Sequence, residues 1–350
     1  MRVLIDIGHP AHVHFFRHPL RILGAAGAQA LVTSRVKEVA LDLLDELGIP
    51  HVTLSAQRPG LAALARELAL RDYRLWRVVR EFRPDVMAAI GGTFIAHVGA
   101  ITGIPSLVFY DTENARLQNA ITYPLAHRVI VPRCYGAWTP AGRTLRYAGY
   151  HELSYLRPGC FVPDRAVAIA QGLAPDRPTF LVRLVSWQAN HDVGERGWTA
   201  ALAGRVVERL AAHGAVLISS EGALPPALEP YRYRGRPGLL HHVMAFCRGF
   251  VGESATMASE CAVLGVPAVY AAHTGRGYTD EQEQRYGLVR NVRELRPEAL
   301  EAAVDWLLAF TDAARADARA RLLADTIDVA RFVADTVAAG ARGMVPVPSH

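Results

Sequence analysis

Residues 249–272, "GFVGESATMASECAVLGVPAVYAA", decide the fold class of this sequence. A short apolar strand ends at Gly252, a helix of small residues follows, and Gly265 and Pro267 separate that helix from a second apolar strand. Glycine can end a helix in the left-handed conformation, and a proline shortly afterwards prevents the helix from continuing. The stretch therefore predicts a strand–helix–strand unit, the building block of a parallel sheet.

Two more stretches repeat this pattern, "LGIPHVTL" (47–54) and "TGIPSLVFY" (102–110). Around them, short apolar runs alternate with amphipathic stretches almost throughout the chain. That alternation is typical of parallel sheets covered by helices on both faces. Because the pattern occurs at matching places in the two halves, we predict an α/β protein with two Rossmann-like domains. Their parallel sheets are expected to face each other across a cleft.

The Pro- and Gly-rich stretch "GYHELSYLRPGCFVPD" (149–164) marks the predicted domain boundary. We predict an N-terminal domain over residues 1–150, a linker over 151–175 and a C-terminal domain over 176–310. Residues 311–350 are expected to form a C-terminal helix that packs back toward the N-terminal domain, followed by a loose tail. Open parallel sheets bind ligands beyond the carboxyl ends of their strands, so we expect the active site in the cleft between the domains.

The composition is that of a globular protein with a small positive charge. Of the 350 residues, 51% are hydrophobic and 20% are charged, so each half of the chain can bury a core of its own. The 38 basic side chains exceed the 33 acidic ones by five, and all the basic ones except Lys37 are arginines. This excess suits an anionic partner such as a phosphate group or a lipid surface. It is too small to indicate nucleic acid, and the chain has no basic tail.

The cysteines and the N-terminus predict a cytoplasmic protein. Cys134, Cys160, Cys247 and Cys261 show no metal-ligand spacing, so we interpret them as buried small apolar residues in a reducing compartment. The sequence begins with the strand-like run "MRVLIDIG" and not with a charged leader. No apolar run reaches the roughly 18 residues that a membrane-spanning helix needs.

A histidine-rich turn follows the first strand, in "IDIGHPAHVHFFRH" (5–18). Gly8 ends the strand, and the backbone N–H groups at the start of the following helix can bind an anion. A histidine here can act as general base toward a sugar hydroxyl or donate a hydrogen bond to a phosphate. We select His12, which lies at the junction of turn and helix. A metal site on His12 and His14 is the alternative, but the second half of the chain offers no further ligands at suitable spacing.

Two further groups of candidates follow strands of the first half. Gly91 and Gly92 end a strand just before Thr93, in a turn small enough to approach a ligand closely. The next strand ends at Tyr110 and is followed by polar side chains. Because ligands bind at the carboxyl ends of parallel strands, these side chains are candidates by position: Asp111, Glu113, Asn114 and Arg116.

The second half offers candidates after several of its strands. Arg183 lies inside an apolar strand, where an unpaired charge would be costly, so we predict that it pairs with an acid or an anionic ligand. Arg276 lies in a glycine-containing loop after the last proline-led strand, from which it could reach an anion. The other polar candidates after these strands are Ser186, Asn190, His191, Asp192, Ser219, Ser220, Glu221 and His273.

The segment 61–83, "LAALARELALRDYRLWRVVREFR", is basic and amphipathic. We interpret it as a helix that covers the sheet and exposes its arginines to solvent. A role at a membrane surface is the alternative. The arginines concerned are Arg66, Arg71, Arg74, Arg77, Arg80 and Arg83.

Over residues 1–310, the order of these parts resembles the two-domain glycosyltransferase B fold. The motifs "DIGHPAHVHFF", "VRLVSWQANHDVG" and "GESATMASECAVLGVPAV" are similar to those of an uncharacterised archaeal and bacterial family of unknown function in that superfamily. The sequence also resembles two better-known members. These are the lipid-linked N-acetylglucosaminyltransferase of peptidoglycan synthesis and the non-hydrolysing UDP-N-acetylglucosamine 2-epimerase.

The resemblance implies roles for individual residues. His12 takes the place of a histidine proposed as the base of the transferase, and Glu113 that of a glutamate of the epimerase. In both relatives a Ser- and Gly-rich turn precedes a helix whose glutamate binds the nucleotide ribose, which implies that role for Glu260. With the candidates by position, the sugar-nucleotide site is expected to comprise Gly8, Arg183, Ser186, Gly252, Ser254, Ala255, Thr256, Glu260 and Arg276. No metal and no cofactor besides the nucleotide-sugar substrate are expected.

Glu253 departs from these relatives, because it stands where they usually have a serine. A carboxylate beside a diphosphate is unfavourable unless it points away or meets a basic partner. Ser254 stands where a glycine is usual. The sequence leaves the role of Glu253 open between these two arrangements.

These observations leave three functions open. The first is a metal-independent glycosyltransferase that takes a UDP-sugar in the C-terminal domain and an acceptor, a glycan or a lipid-linked one, in the N-terminal domain. Peripheral membrane contact stays open for it. The second is an epimerase or hydrolase of a sugar nucleotide that uses Glu113 and a histidine on the sugar. The third is a non-catalytic protein of the same fold that binds nucleotide sugars.

Overall fold

Two α/β units make up the protein. Residues 1–155 with 327–344 form the first unit, and residues 156–326 form the second. The computed structural model describes residues 1–36, 39–56, 61–185, 197–220 and 222–344, with the backbone alone for residue 56 and residues 61–67.

The first unit is built on one parallel sheet. Its strands are β1 (Arg2–Ile7), β2 (Gln29–Val36), β3 (His51–Ala56), β4 (Val86–Ile90), β5 (Ser106–Phe109), β6 (Arg128–Pro132) and β7 (Thr144–Tyr147). The seven strands pair in the order β3-β2-β1-β4-β5-β6-β7. The helices are α1 (Pro10–Ala25), α2 (Ala40–Glu46), α3 (Leu61–Phe82), α4 (Thr93–Thr102), α5 (Arg116–Thr122), α6 (Leu153–Leu156) and, after the second unit, α14 (Val329–Ala341).

The second unit repeats the plan with a smaller parallel sheet. Its strands are β8 (Thr179–Leu184), β9 (Ala215–Ser220), β10 (Gly249–Gly252), β11 (Ala268–Ala271) and β12 (Val289–Val292). They pair in the order β12-β11-β10-β8-β9. The helices are α7 (Arg165–Ala170), α8 (Ala200–Ala211), α9 (Leu240–Phe246), α10 (Ala255–Leu264), α11 (Gly277–Glu281), α12 (Pro297–Ala309) and α13 (Asp312–Ala324). Short 3₁₀ turns lie at Glu229–Tyr231 and Pro237–Leu239, and a π-helical turn at Gln282–Tyr286.

Each sheet buries apolar side chains against its own helices. In the first unit Leu4, Met87 and Val108 share one face of the sheet and pack with Leu75 and Val79 of α3. Full burial of such a side chain stabilises a fold by about 1.5–3 kcal/mol relative to exposure. The second unit is built in the same way. Val182, Val251 and Val269 share one face of its sheet and pack against side chains of α8 and α12, namely Val206, Leu210 and Leu307.

The glycines of the repeated pattern end their helices as predicted. Gly103 after α4 has φ 74°, and Gly265 after α10 has φ 79°, both in the left-handed region that other residues rarely adopt. At Gly265 a side chain would also collide with Arg319, since a Cβ would lie 2.8 Å from the Arg319 Cδ atom. The strand–helix–strand prediction for residues 249–272 is confirmed.

The strand order reverses once in each sheet. The chain moves outward from β1 to β3 and returns beside β1 with β4. It moves from β8 to β9 and returns beside β8 with β10. In open parallel sheets, ligands bind at the carboxyl ends of the strands beside such a reversal. The turns that follow β1, β4, β8 and β10 are therefore the expected site positions in each unit.

The predicted single helix near the C-terminus is in fact two helices. Helix α13 packs against α10 within the second unit, whereas α14 packs against α1 and β4 within the first. Asp328 begins α14 by accepting a hydrogen bond from the Arg331 amide at 3.0 Å. No proline or glycine marks the break, so the sequence pattern does not reveal it. Residues 345–350 of the predicted tail lie outside the described residues.

The predicted linker over residues 151–175 is also divided. Residues 151–155 belong to the first unit and residues 156–175 to the second. His151 and Glu152 are buried in the first unit, and residues 165–170 form α7 of the second. The proline and glycine content of this stretch reflects turns inside the units and not a separate linker.

The arginines of α3 are not all exposed as predicted. Arg71 is buried, and its Nη2 donates to both carboxylate oxygens of Asp6 in β1, at 2.9 and 3.0 Å. The Thr33 hydroxyl donates to the Asp6 Oδ1 atom at 2.7 Å. The prediction of a solvated face is wrong for Arg71 and holds for Arg74, Arg77, Arg80 and Arg83.

The cysteine prediction holds for two residues of four. Cys247 and Cys261 are buried, and burial raises the pKa of the Cys247 thiol to about 12. Cys134 and Cys160 are partly exposed, so the expectation of burial is wrong for them. Among the helices of the described residues, none has the length and apolar character to cross a membrane.

Candidate functional site

The turn after β1 places His12 beside the end of the strand. His9 caps α1 by accepting from the Ala11 amide at 3.2 Å, and Pro10 occupies the first turn. The Gly8 amide donates to the His12 Nδ1 atom at 3.2 Å. Because Nδ1 acts as acceptor, the neutral ring carries its proton on Nε2. His12 thus presents a hydrogen-bond donor, which suits contact with a phosphate or sugar oxygen better than removal of a proton.

The turn after β4 requires glycine at two positions. Gly91 and Gly92 have φ angles of 71° and 30°, in the left-handed region. A Cβ at Gly91 would lie 2.7 Å from the Gln118 Nε2 atom, and one at Gly92 would lie 2.7 Å from a Val108 methyl carbon. Thr93 then opens α4, as expected from the sequence.

Asp111 contacts His151 at the carboxyl end of β5. Its Oδ2 atom lies 3.0 Å from the His151 Nδ1 atom, and its Oδ1 atom accepts from the Thr112 hydroxyl at 2.9 Å. Burial alone would raise the pKa of Asp111. The charge of His151, the hydrogen bonds from His151 and Thr112, and the nearby charge of His12 outweigh burial and lower the pKa to about 2. Asp111 is therefore a carboxylate across the physiological pH range.

His151 is a site residue that the sequence analysis missed. It follows β7 in the stretch predicted to be a linker, and its ring packs against Phe15 at 4.5 Å between centroids. The side chain is buried, and the Nε2 atom has no hydrogen-bond partner among the described residues. The rule that selects Asp111, polar residues directly after a parallel strand, would also select His151 once β7 is assigned to the same sheet.

Glu113 lies near a group of phenols and not in the Asp111–His151 pair. The Tyr123 and Tyr135 hydroxyls are 2.9 Å apart, and the Asn119 amide donates to Tyr135 at 3.2 Å. Burial, the hydrogen bond to Tyr135 and nearby charges, including that of Glu113, raise the pKa of Tyr123. Glu113 is partly exposed, so it stays a candidate to contact a ligand.

In the second unit, Gly252 lies directly beside Arg183. A Cβ at Gly252 would lie 2.6 Å from the Arg183 carbonyl oxygen, so β10 approaches β8 too closely for any side chain at this position. The Arg183 guanidinium donates from Nη1 to the Ser219 hydroxyl at 2.9 Å. Arg183 therefore engages a hydroxyl here. Its predicted acidic or anionic partner stays a prediction.

The structure explains the position of Glu253. Its Oε2 atom accepts from the Val185 amide at 2.9 Å, and its Oε1 atom accepts from the Trp198 amide at 2.8 Å. The carboxylate is thus turned toward the end of β8 and the chain just before α8. Two backbone N–H groups stabilise the carboxylate by hydrogen bonds, which the sequence could not indicate because both lie more than 50 residues away.

Helix α10 begins at the turn that follows β10. Ser254 is its N-cap, and the serine hydroxyl accepts from the Met257 amide at 3.3 Å. The cap leaves the other first-turn amides, among them those of Ala255 and Thr256, at the positive end of the helix dipole. The first turn of α10 contains no acidic residue. This end of the helix is therefore suited to an anion.

Glu260 lies further along α10 and meets a histidine from α9. Its Oε1 atom is 2.9 Å from the His241 Nε2 atom, and both side chains are buried. Since the partner of Nε2 is a carboxylate, His241 donates to it. The predicted ribose contact of Glu260 stays a prediction, and the structure adds His241 as the residue that holds this carboxylate in place.

Arg276 and Ser186 complete the set of residues predicted to bind the sugar nucleotide. Arg276 precedes α11, and its guanidinium donates to the neighbouring Gly275 carbonyl at 2.8 Å. Ser186 lies outside the described residues, as do the further candidates Asn190, His191, Asp192 and Glu221.

A pocket of about 560 Å³ lies in the second unit, at the starts of α8 and α12. Its lining includes Trp198, Arg205, His273, Arg293 and Pro297. Arg205 pairs with Glu301 at 2.6 Å, and Arg293 pairs with Asp280. Of the described residues expected to bind the sugar nucleotide, none lines this pocket, but the further candidate His273 does. Trp198 joins the pocket to the turn after β10, because its amide donates to Glu253.

A metal site finds no support in the described part of the chain. There, no group of three or more His, Cys, Asp or Glu side chains is arranged to hold a metal ion. The alternative of a metal on His12 and His14 therefore lacks the further ligands that it needs.

Comparison with known protein families identifies the family of this chain. A profile of the family described as "Protein of unknown function (DUF354)" matches residues 1–185, more than half of the chain. The chain belongs to this family. The DUF354 chain is also 22% identical, over 192 residues, to the uncharacterized protein MJ0665 of Methanocaldococcus jannaschii. That match covers 52% of this chain, and the chain spans 55% of the relative's length.

Solved structures share the fold of this DUF354 chain. The UDP-GlcNAc 2-epimerase from Neisseria meningitidis bound to UDP-GlcNAc has a TM-score of 0.65 and 13% identity, and the match covers 96% of this chain and 99% of the epimerase. CalG4, the calicheamicin glycosyltransferase, has a TM-score of 0.59 and 16% identity, with 99% of each chain covered. The predicted glycosyltransferase B type of fold, with two parallel-sheet α/β units, is thereby confirmed.

Proposed function

We propose that this protein is a sugar-nucleotide-dependent glycosyltransferase that takes a UDP-sugar as donor and needs no metal. The observation that carries the proposal is the start of α10 in the second unit. There a Ser254-capped helix follows the strand beside the sheet's reversal, and Glu260 is held on the same helix by His241 at 2.9 Å.

The second unit is suited to the nucleotide. The first-turn amides of α10, at Ala255 and Thr256, would bind the diphosphate, and Arg276 would add positive charge as the diphosphate leaves. Glu260 would accept hydrogen bonds from the ribose hydroxyls. Glu253 leaves the first turn of α10 open to the diphosphate, since its carboxylate accepts from the backbone amides of Val185 and Trp198.

The first unit is suited to proton transfer. In the reaction the acceptor hydroxyl oxygen forms a bond to the anomeric carbon of the sugar, the bond from that carbon to the diphosphate breaks, and UDP leaves. The hydroxyl proton passes to a base on the enzyme. His12 would bind an oxygen through its Nε2–H group, and Asp111 supplies a permanent negative charge nearby.

An epimerase or hydrolase of a UDP-sugar is the second candidate. This candidate is favoured by two carboxylates just past β5, those of Asp111 and Glu113. Removal of a proton from a sugar carbon needs an acid–base side chain of the protein beside that carbon. The epimerase of similar fold whose structure holds UDP-GlcNAc also supports it. The acceptor distinguishes the two functions, since an epimerase needs none.

Nucleotide binding tests the proposal first. Purified protein is heated with UDP, UDP-GlcNAc, ADP or buffer, and a ligand that binds the folded state raises the melting temperature. We expect a shift with UDP and UDP-GlcNAc that exceeds the shift with ADP. No shift with any of these ligands at millimolar concentration would contradict a sugar-nucleotide function.

A matched pair of variants locates the binding. Glu260→Gln should weaken UDP binding by about ten- to a hundredfold, because hydrogen bonds to a charged group contribute about 1.5–3 kcal/mol. Glu208→Gln, at an exposed position on α8 of the same unit, should leave UDP affinity unchanged. Release of UDP that requires an added acceptor then identifies transfer, whereas a new sugar nucleotide formed without acceptor identifies epimerisation.

A further inference from the structure

Asp111 and His151 have an arrangement that the proposed function does not yet use. Asp111 lies after β5 and His151 after β7, on opposite sides of β6 in the first sheet. The carboxylate Oδ2 atom and the ring Nδ1 atom are 3.0 Å apart. The Thr112 hydroxyl fixes the other carboxylate oxygen at 2.9 Å, so the orientation of the carboxylate is set from two sides.

This contact determines which ring nitrogen of His151 carries the proton. A carboxylate can only accept, so the Nδ1 atom of His151 must donate and therefore bears hydrogen. In the neutral ring the Nε2 atom then has a lone pair. His12 has the opposite arrangement, because the Gly8 amide donates to its Nδ1 atom and leaves the proton on Nε2. Of these two histidines of the first unit, His151 is the one that can accept a proton at Nε2.

The Nε2 atom of His151 is also buried without a hydrogen-bond partner among the described residues. Buried polar atoms in folded proteins are almost always hydrogen-bonded, so an exception calls for an ordered water, a ligand group or a catalytic role. The Tyr147 hydroxyl, at the end of β7, is likewise buried without a partner in the described part of the chain. Burial raises the pKa of Tyr147, and the charge of Asp111 adds to the effect. The Tyr147 hydroxyl is therefore close enough to the Asp111 carboxylate to be influenced by its charge.

We propose that His151, held by Asp111, is the general base of the first unit and that His12 is an oxygen-binding donor. The assignment rests on the proposed function. The His151 Nε2 atom takes the proton of the acceptor hydroxyl while the hydroxyl oxygen bonds to the anomeric carbon and UDP leaves. The carboxylate of Asp111 then stabilises the imidazolium that forms.

Three substitutions separate this assignment from the alternative that His12 is the base. Gln in place of His can still donate a hydrogen bond but cannot take a proton at neutral pH. His12→Gln should therefore lower kcat by about tenfold, and His151→Gln by about a thousandfold or more, the scale of a lost general base. Asp111→Asn should lower kcat by about 10³–10⁴-fold, because the amide donates to Nδ1 and moves the ring proton to Nε2. An Asp→Asn change beside the catalytic histidine of a serine protease has an effect of this size for the same reason.

The control is His127→Gln, at an exposed position of the same unit, which should leave kcat unchanged. Turnover is measured as UDP release from UDP-GlcNAc with the acceptor that supports it. UDP affinity is measured for each variant by thermal shift and should stay at the wild-type value, because the nucleotide belongs to the second unit. A kcat of His151→Gln within tenfold of wild type would overturn the assignment.

Nitrogen-15 NMR of the histidine rings reads the tautomer without any substrate. When the ring of His151 is neutral, we expect a protonated Nδ1 and an unprotonated Nε2, and the reverse in the neutral ring of Asp111→Asn. A proton on Nε2 of the neutral wild-type His151 ring would overturn the assignment even if UDP-sugars bind and turn over. Failure of wild-type protein to bind or turn over any UDP-sugar would instead overturn the proposed function, so the two failures can be told apart.

Discussion

Glu253 holds the backbone of Trp198 in place, with its Oε1 atom 2.8 Å from the Trp198 amide nitrogen. Its other oxygen accepts from the Val185 amide at 2.9 Å. Glu253→Gln should destabilise the second unit by about 1–3 kcal/mol. A carboxamide can accept at one oxygen only, and its NH₂ group would face a backbone N–H left without a partner. Denaturant unfolding followed by tryptophan fluorescence measures the change.

Glu208→Gln is the matched control for this prediction. Glu208 is exposed on α8, and surface substitutions usually change the free energy of unfolding by less than about 0.5 kcal/mol. Equal stabilities of Glu253→Gln and Glu208→Gln would show that the charge of Glu253 and its second hydrogen bond contribute nothing to folding.

Gly252 should tolerate no side chain. A Cβ there would lie 2.6 Å from the Arg183 carbonyl oxygen and 2.9 Å from the Arg183 backbone nitrogen. These atoms belong to the paired strand β8 and cannot move without loss of pairing, so Gly252→Ala should cost about 1–3 kcal/mol. Gly204→Ala is the contrast, because nothing lies within 4 Å of its Cβ in the middle of α8.

We expect Gly204→Ala to stabilise the protein by about 0.5–1 kcal/mol, the helix advantage of alanine over glycine. Melting temperatures of the two variants, recorded side by side with wild type, should therefore move in opposite directions. A Gly252→Ala protein as stable as wild type would mean that β8 and β10 are further apart than the structure has them.

His97 should make the first unit less stable as pH rises. Its Nδ1 atom lies 2.8 Å from the Asp72 carboxylate and its Nε2 atom 3.2 Å from the Ile121 carbonyl oxygen. Both partners only accept, so the ring is suited to donate at both nitrogens, as the charged form does. The hydrogen bond and charge of Asp72 and the Ile121 carbonyl outweigh burial and raise the pKa of His97 above 6.5.

The sign follows from linkage between protonation and folding. A raised pKa in the folded state adds stability that is fully present below the unfolded value of about 6.5 and is lost as pH rises through the folded value. As pH rises from below about 6.5, wild type should lose more stability than His97→Gln. His213→Gln, at an exposed position, should keep the wild-type dependence. Parallel pH profiles for wild type and His97→Gln would contradict the prediction.

Much of the fold followed from the sequence, because its signals are local. The glycine and proline that end α10 and begin β11 lie within a few residues of each other, and each acts on the backbone next to it. The rule that ligands bind at carboxyl ends of strands pointed to Asp111 before any contact was known. These inferences needed only the order of the elements and the chemistry of single residues.

The partners of the charged groups could not be predicted in the same way. Glu253 bonds to amides 55 and 68 residues away, and His151 reaches Asp111 across β6. Such contacts depend on strand order and side-chain direction, which hydrophobic periodicity does not contain. The partner of Arg71 could not be predicted for the same reason. An arginine on an amphipathic helix is expected to be solvated, and only the fold shows that Asp6 lies within hydrogen-bond distance of it.

The buried pair of Asp6 and Arg71 gives the last prediction. Arg71→Met should destabilise the first unit by about 3–5 kcal/mol, because it leaves the Asp6 carboxylate buried without its positive partner. The double variant Asp6→Leu with Arg71→Met should recover most of that loss, since well-packed apolar side chains can replace a buried ion pair at little cost. A residual cost is expected from the Thr33 hydroxyl, which loses its acceptor.

The control is Arg77→Met, at an exposed position on the same helix, which should change the free energy of unfolding by less than about 0.5 kcal/mol. Denaturant unfolding of wild type, the two single variants and the double variant gives the coupling energy between the two residues. A double variant as unstable as the sum of its single variants would mean that the two charges act independently.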